Sequence, residues 1–118
     1  MPIANKAMTE TNSRDLFPGA LEMMILESLR RQPAHGYALV QHIQQRSKNL
    51  LQVEEGSLYP ALHRLEHQGW VKAEWATSEL GRRARFYRLT ASGRKQLEKE
   101  ADEWARLSMA IGRVLEMA

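Results

Sequence analysis

The sequence predicts a mostly α-helical chain with one small β-hairpin and a long last helix. Three observations carry that prediction. Apolar residues recur at helical spacing in three short stretches between Pro18 and Gln68. From Trp70 the pattern changes to a period of two, breaks at a glycine-containing loop, and resumes. A helical stripe then returns and persists to the end of the sequence. The 118 residues suit a single domain.

Residues 1–15 are polar and read as a weakly ordered arm. Pro18, suited to a first turn, opens a helix over about residues 18–31, with Leu21, Ile25 and Leu29 on one face and Met24 beside them. Gln32-Pro33-Ala34 ends it, because proline cannot continue a helix and restricts its predecessor. A second helix spans about residues 36–46, with Leu39, Val40 and Ile43 inward. A short extended piece covers residues 50–53. The third helix starts between Glu54 and Ser57, where acids suit the positive end of the dipole, and runs to about Gln68. Leu58, Leu62 and Leu65 make its apolar stripe, and Gly69 is a C-terminal stop. Its outward face is Tyr59, Pro60, His63, Arg64 and His67, with Ser57 at the edge.

Residues 70–75 and 84–89 read as paired strands around a loop at 77–83, where Gly81 supplies a positive φ and Arg82 and Arg83 stand at the exit. Thr90 is a good N-cap for a last helix over about residues 91–117. At about 100° per residue, Leu97, Ala101, Trp104, Leu107, Ser108, Ile111, Val114, Leu115 and Ala118 fall in a sector of about 140°. That stripe is roughly 30 Å long. The small preceding domain covers its start and leaves the rest for a partner helix, most simply from a second copy of the chain.

The formal net charge of +3 hides a gradient. Residues 1–55 balance to zero. Residues 56–95 hold Arg64, Lys72, Arg82, Arg83, Arg85, Arg88, Arg94 and Lys95 against Glu66, Glu74 and Glu79, a net +5, and residues 96–118 carry −2. A basic block beside a helix and a hairpin points to a polyanion partner. Three helices followed by a basic hairpin is the order of a winged helix-turn-helix. The major groove admits one helix, and arginines at a hairpin tip bind phosphate or enter the minor groove.

Three separated motifs carry a family resemblance. Leu16-Phe17-Pro18-Gly19-Ala20-Leu21 with His35-Gly36-Tyr37, then Gly56-Ser57-Leu58-Tyr59-Pro60-Ala61-Leu62-His63-Arg64-Leu65-Glu66, then Gly81-Arg82-Arg83-Ala84-Arg85-Phe86-Tyr87-Arg88-Leu89-Thr90 with Gly93, together resemble the PadR family of bacterial transcription regulators over about residues 16–117. The resemblance implies a homodimeric winged-helix repressor of the short branch, bound to an imperfect palindrome of double-stranded DNA, and the cysteine-free composition with a polar start is expected of a cytoplasmic protein. It implies an arm at 1–15, a DNA-binding domain at 16–90 and a dimerisation helix at 91–118. Trp104 matches the aromatic with which some short members sandwich flat hydrophobic ligands, so a small aromatic effector is a second reading. A winged-helix module that binds protein and not DNA is a third.

The residues expected at DNA are Tyr37, Ser57, Tyr59, Pro60, His63, Arg64, Arg82, Arg83 and Arg85. Arg82 and Arg83 are the strongest electrostatic candidates, and the others have plainer alternatives, Tyr59 and His63 as ordinary surface residues. Tyr37 packs in the core or places its hydroxyl on the DNA backbone. Ser57 donates to phosphate or only caps its helix. Pro60 shapes the helix start. Arg64 reaches phosphate or pairs with Glu66 or Glu54, and Arg85 is a DNA contact or a solvated strand residue. The dimer interface is expected from Leu97, Ala101, Trp104, Leu107, Ser108, Ile111, Val114 and Leu115.

Other function classes fare poorly. Without cysteine there are no disulfides, thiolate zinc sites, iron–sulfur clusters or thiol nucleophiles. His63 and His67 have the spacing of a zinc pair but no third ligand is evident, so no metal is expected. Gly56-Ser57 lacks the second glycine of a hydrolase elbow, and no phosphate-binding glycine loop or cofactor motif is present. No stretch approaches the roughly 18 apolar residues of a membrane span.

Overall fold

The computed structural model describes Thr11–Asn12 and residues 19–116. The remainder of the arm expected at 1–15, Pro18 at the first helix opening, and Met117 and Ala118 at the end of the last helix lie outside the described residues. The elements are β1 (Thr11–Asn12), α1 (Ala20–Arg31), β2 (Ala34–His35), α2 (Gly36–Arg46), β3 (Leu51–Gln52), α3 (Glu55–His67), β4 (Val71–Thr77), β5 (Arg83–Leu89) and α4 (Ala91–Val114).

α1 begins behind Gly19, whose φ of 84° is the left-handed conformation glycine adopts without strain. Its polar ends match the dipole, with Glu22 in the first turn and Arg30 and Arg31 in the last. The chain then extends before Pro33, and this stretch does more than stop the helix. Ala34 and His35 add a third, antiparallel strand to the hairpin, opposite Tyr87 and Phe86. His35 also caps α2, its Nδ1 accepting from the Ala38 N–H at 3.2 Å. α2 ends in a tight corner where Lys48 and Asn49 both take positive φ.

α3 terminates in a Schellman arrangement. Gly69, at φ 78°, donates to the Glu66 carbonyl, and Trp70 donates to the Leu65 carbonyl, each at 3.0 Å. The hairpin runs from Val71↔Leu89 to Thr77↔Arg83 in register, so both strands extend further towards the tip than expected. Gly81 shapes the tip with φ 77°, and its N–H donates to the Ser78 carbonyl at 2.9 Å. Thr90 caps α4, its Oγ1 accepting from the Gly93 N–H at 3.0 Å while donating to the Gly69 carbonyl at 2.7 Å. The start of α4 is thereby tied to the end of α3.

One core lies between α1, α2, α3 and the inner face of the sheet. Ile25, Leu26, Leu39, Leu58, Leu62 and Leu65 are fully buried, with Val71, Tyr87 and Leu97 closing it from the hairpin and α4. Burial of each large aliphatic side chain contributes roughly 1.5–3 kcal/mol. α4 contributes only Gly93 and Leu97 to the buried set. Beyond Leu97 none of its described side chains is buried in the core, and Trp104, Leu107, Ile111, Val114 and Leu115 are exposed.

Candidate nucleic-acid interface

Burying Leu58, Leu62 and Leu65 forces the other face of α3 outward, so Tyr59, Pro60, His63, Arg64 and His67 are all exposed. Pro60 lies inside the continuous helix and past its first turn, so it does not merely shape the start. Its missing N–H removes the i−4 hydrogen bond to the Gly56 carbonyl, on the exposed side. Ser57 is not the cap. Glu54 holds that position, and the Ser57 N–H donates to the Glu54 carbonyl at 3.0 Å. Ser57 as a whole is half-buried, at the edge of the exposed face.

Tyr37 is 56% exposed, which removes the core alternative, and its hydroxyl accepts from Gln41 Nε2 at 3.1 Å. Tyr59 reaches across to the start of α2. A Cβ on Gly36 would meet the Tyr59 hydroxyl at 2.5 Å and its ring at 2.8 Å. The two tyrosines therefore flank the same helix start, one on it and one against it. The sequence reading missed this contact. The available signal was Gly36 itself, a poor helix former at the first position of a helix.

Arg64 is not paired with Glu66 or Glu54. Its Nε and Nη2 lie 2.8 and 2.7 Å from Glu22 of α1. Arg85 is not merely solvated either, since its Nη2 donates to Glu66 of α3 at 2.8 Å and its guanidinium lies 5.9 Å from the Tyr87 ring centre. Burial pushes the Tyr87 hydroxyl above its ordinary pKa, with the Arg85 guanidinium opposing. Arg88 sits 3.4 Å from Glu74 across the hairpin. The remaining five cations of the basic block, Lys72, Arg82, Arg83, Arg94 and Lys95, form no ion pair among the described residues. Arg82 and Arg83 stand at the wing tip, where Arg83 stacks 5.2 Å from the centre of the exposed Trp75 ring. His63 and His67 gain no third ligand among the described residues.

A second feature lies away from this face. Gly19, Ala20 and Met23 of the α1 start face Glu100, Trp104 and Leu107 of α4 across a groove of about 330 Å³. Glu100 Oε2 accepts from Gln96 at 2.6 Å, whereas its Oε1 is buried without a hydrogen-bond partner among the described residues. No described helix is long and apolar enough to cross a membrane.

Three helices, a basic two-stranded wing and the short strand β2 beside it define a winged helix with its third helix exposed. Residues 25–99 match the transcriptional regulator PadR-like family, and the chain belongs to that family. The transcriptional regulator Rv3488 of Mycobacterium tuberculosis is 34% identical over 87 residues, 74% of this chain and 78% of that protein. An uncharacterized 37.1 kDa protein in transposon TN4556 of Streptomyces fradiae is 44% identical over 97 residues, 82% of this chain but only 26% of that protein. The crystal structure of a PadR family transcriptional regulator from Eggerthella lenta superposes with a TM-score of 0.72 at 34% identity, over 85% of each chain.

Proposed function

We propose that this regulator is a repressor that binds a pseudo-palindromic operator as a homodimer. In this reading α3 lies in the major groove and the wing lies over the adjacent backbone. The observation that carries it is the exposed face of α3 together with a wing and an α4 start that carry five cations with no ion-pair partner among the described residues. Tyr37, Ser57, Tyr59, His63 and Arg64 are assigned to phosphates and groove edges, and Pro60 to the surface between them. Arg82 and Arg83 hold the flanking phosphates from the wing. Arg85 acts from the second strand by fixing Glu66 and thus the wing against α3. Two copies joined along α4 would place their recognition helices about 34–36 Å apart, one turn of the duplex.

The test is retardation and footprinting of genomic promoter fragments at low salt, followed by a salt titration. A protected palindrome and an affinity that falls steeply with salt are expected. No retardation of any fragment would favour a protein-interaction module instead.

One observation favours an effector as well. The Trp104 groove presents an aromatic ring beside a buried Glu100 oxygen with no hydrogen-bond partner among the described residues, which suits a flat aromatic bearing a hydrogen-bond donor. Such a ligand would quench Trp104 fluorescence and release DNA, and both effects should vanish in Trp104→Ala. Trp70 and Trp75 variants serve as fluorescence controls.

A further inference from the structure

Between the second half of α1 and the end of α2 lies a separate pocket of about 260 Å³, sharing no residue with the Trp104 groove. Its floor is apolar, formed by Met24, Ile43 and Leu51. Its rim carries Arg31, His42 and Arg46. The carboxylate in the lining, Glu27, is engaged by Arg30 through both oxygens and approaches Arg31 only to 3.6 Å. Arg46 forms no ion pair among the described residues. The local potential is positive. His42 is held below the ordinary imidazole pKa first by burial and then by the charges of Arg46 and Arg31. Arginines in the last turns of α1 and α2 complement the helix dipoles, but that accounts for neither their convergence nor the apolar floor between them.

We propose that this pocket binds a small organic anion, with its acidic group held by Arg31 and Arg46 and its apolar body resting on Met24, Ile43 and Leu51. Guanidinium groups suit this task because they present paired donors to a carboxylate or phosphate and remain charged. The floor then selects for a hydrophobic body over a bare inorganic ion. This site is independent of the DNA reading and of the Trp104 groove.

The experiment titrates the full chain with 1-naphthoate, using 1-naphthalenemethanol as the neutral comparator and inorganic phosphate as the headgroup alone. Backbone amide shifts locate the site and calorimetry gives the affinities. Shifts centred on Ser28, His42 and Ser47 are expected, with the alcohol and phosphate each binding at least about tenfold more weakly. Arg31→Gln combined with Arg46→Gln should cost about tenfold or more in naphthoate affinity. Both side chains are exposed, so losing their dipole contacts should lower the thermal transition by only a few degrees, and Arg46→Lys should keep part of the affinity. The proposal is overturned by shifts centred on Trp104 and Leu107, by equal affinity for the alcohol or for phosphate, by unchanged affinity in the double variant, or by no shift up to the solubility limit of the probe.

Discussion

A methyl group added at Gly93 would sit 2.0 Å from the Trp70 carbonyl oxygen and 2.8 Å from Leu89 Cδ1. The obstacle is backbone, and Thr90 and Ser92 already fix the start of α4 to the Gly69 carbonyl, so nothing there can yield. Gly93→Ala is expected to cost on the order of 3 kcal/mol, read as a lower denaturant midpoint with an unchanged slope. At Gly36 the same methyl meets the tip of the Tyr59 ring, a side-chain end with solvent beside it. Alanine is the better helix former by about 1 kcal/mol, so Gly36→Ala should leave stability within about that margin while displacing Tyr59. Operator affinity should drop, and an unchanged affinity would remove Tyr59 from the interface. His42 offers a pH signature. Because its folded pKa is lowered, the unfolded chain takes up the proton first as pH falls. Its contribution to stability is complete above about pH 6.5 and is lost as pH drops through that value towards the lower folded one. His42→Gln should flatten that decline in urea midpoints measured between about pH 7.5 and 5.

At the scale of elements, the helices were legible because their signals are redundant. In α3, the stripe of Leu58, Leu62 and Leu65, the acids at the start and Gly69 at the end all say the same thing, and the observed bounds Glu55–His67 follow. β2 was not legible. Two residues after a proline carry no period, and Ala34 and His35 become a strand only because Tyr87 and Phe86 lie opposite. Arg64 and Arg85 show the same limit. Their partners, Glu22 and Glu66, are distant in sequence and adjacent only in the fold. Arg64 can still exchange Glu22 for a phosphate, since a pair this exposed contributes about 1 kcal/mol or less. The wing tip was legible as charge, and its role is testable as charge. Arg82→Ala with Arg83→Ala removes two cations that hold no carboxylate among the described residues. Binding should weaken alike on operator and on unrelated DNA, and the salt slope of the dimer should shrink by about 4, two phosphate contacts for each protomer. A loss confined to the operator would mean that the wing reads bases.

For the whole molecule, the decisive contrast is between the two parts of α4. Up to Leu97 the helix belongs to the core, and beyond it Leu107, Ile111 and Val114 face solvent at 50, 42 and 80% exposure. Among the described residues, nothing covers them. The sequence could place the stripe on one helical face, but in the proposed dimer what closes over it is a second copy, which no single-chain pattern encodes. The expected interface can be broken without touching the fold, because the fully buried residues all lie in α1, α2 and α3. Leu107→Glu with Ile111→Glu places four carboxylates against each other across a two-fold contact, where burial of unpaired charge is prohibitive. Sedimentation should then show a monomer with an unshifted far-ultraviolet spectrum. The monomer keeps its recognition helix and wing, so it should still bind DNA, but only as a half-site: with a salt slope about half that of the dimer and with no preference for the two-fold spacing. A variant that stays dimeric would move the interface off α4. A monomer that still prefers the full palindrome would separate operator recognition from dimerisation.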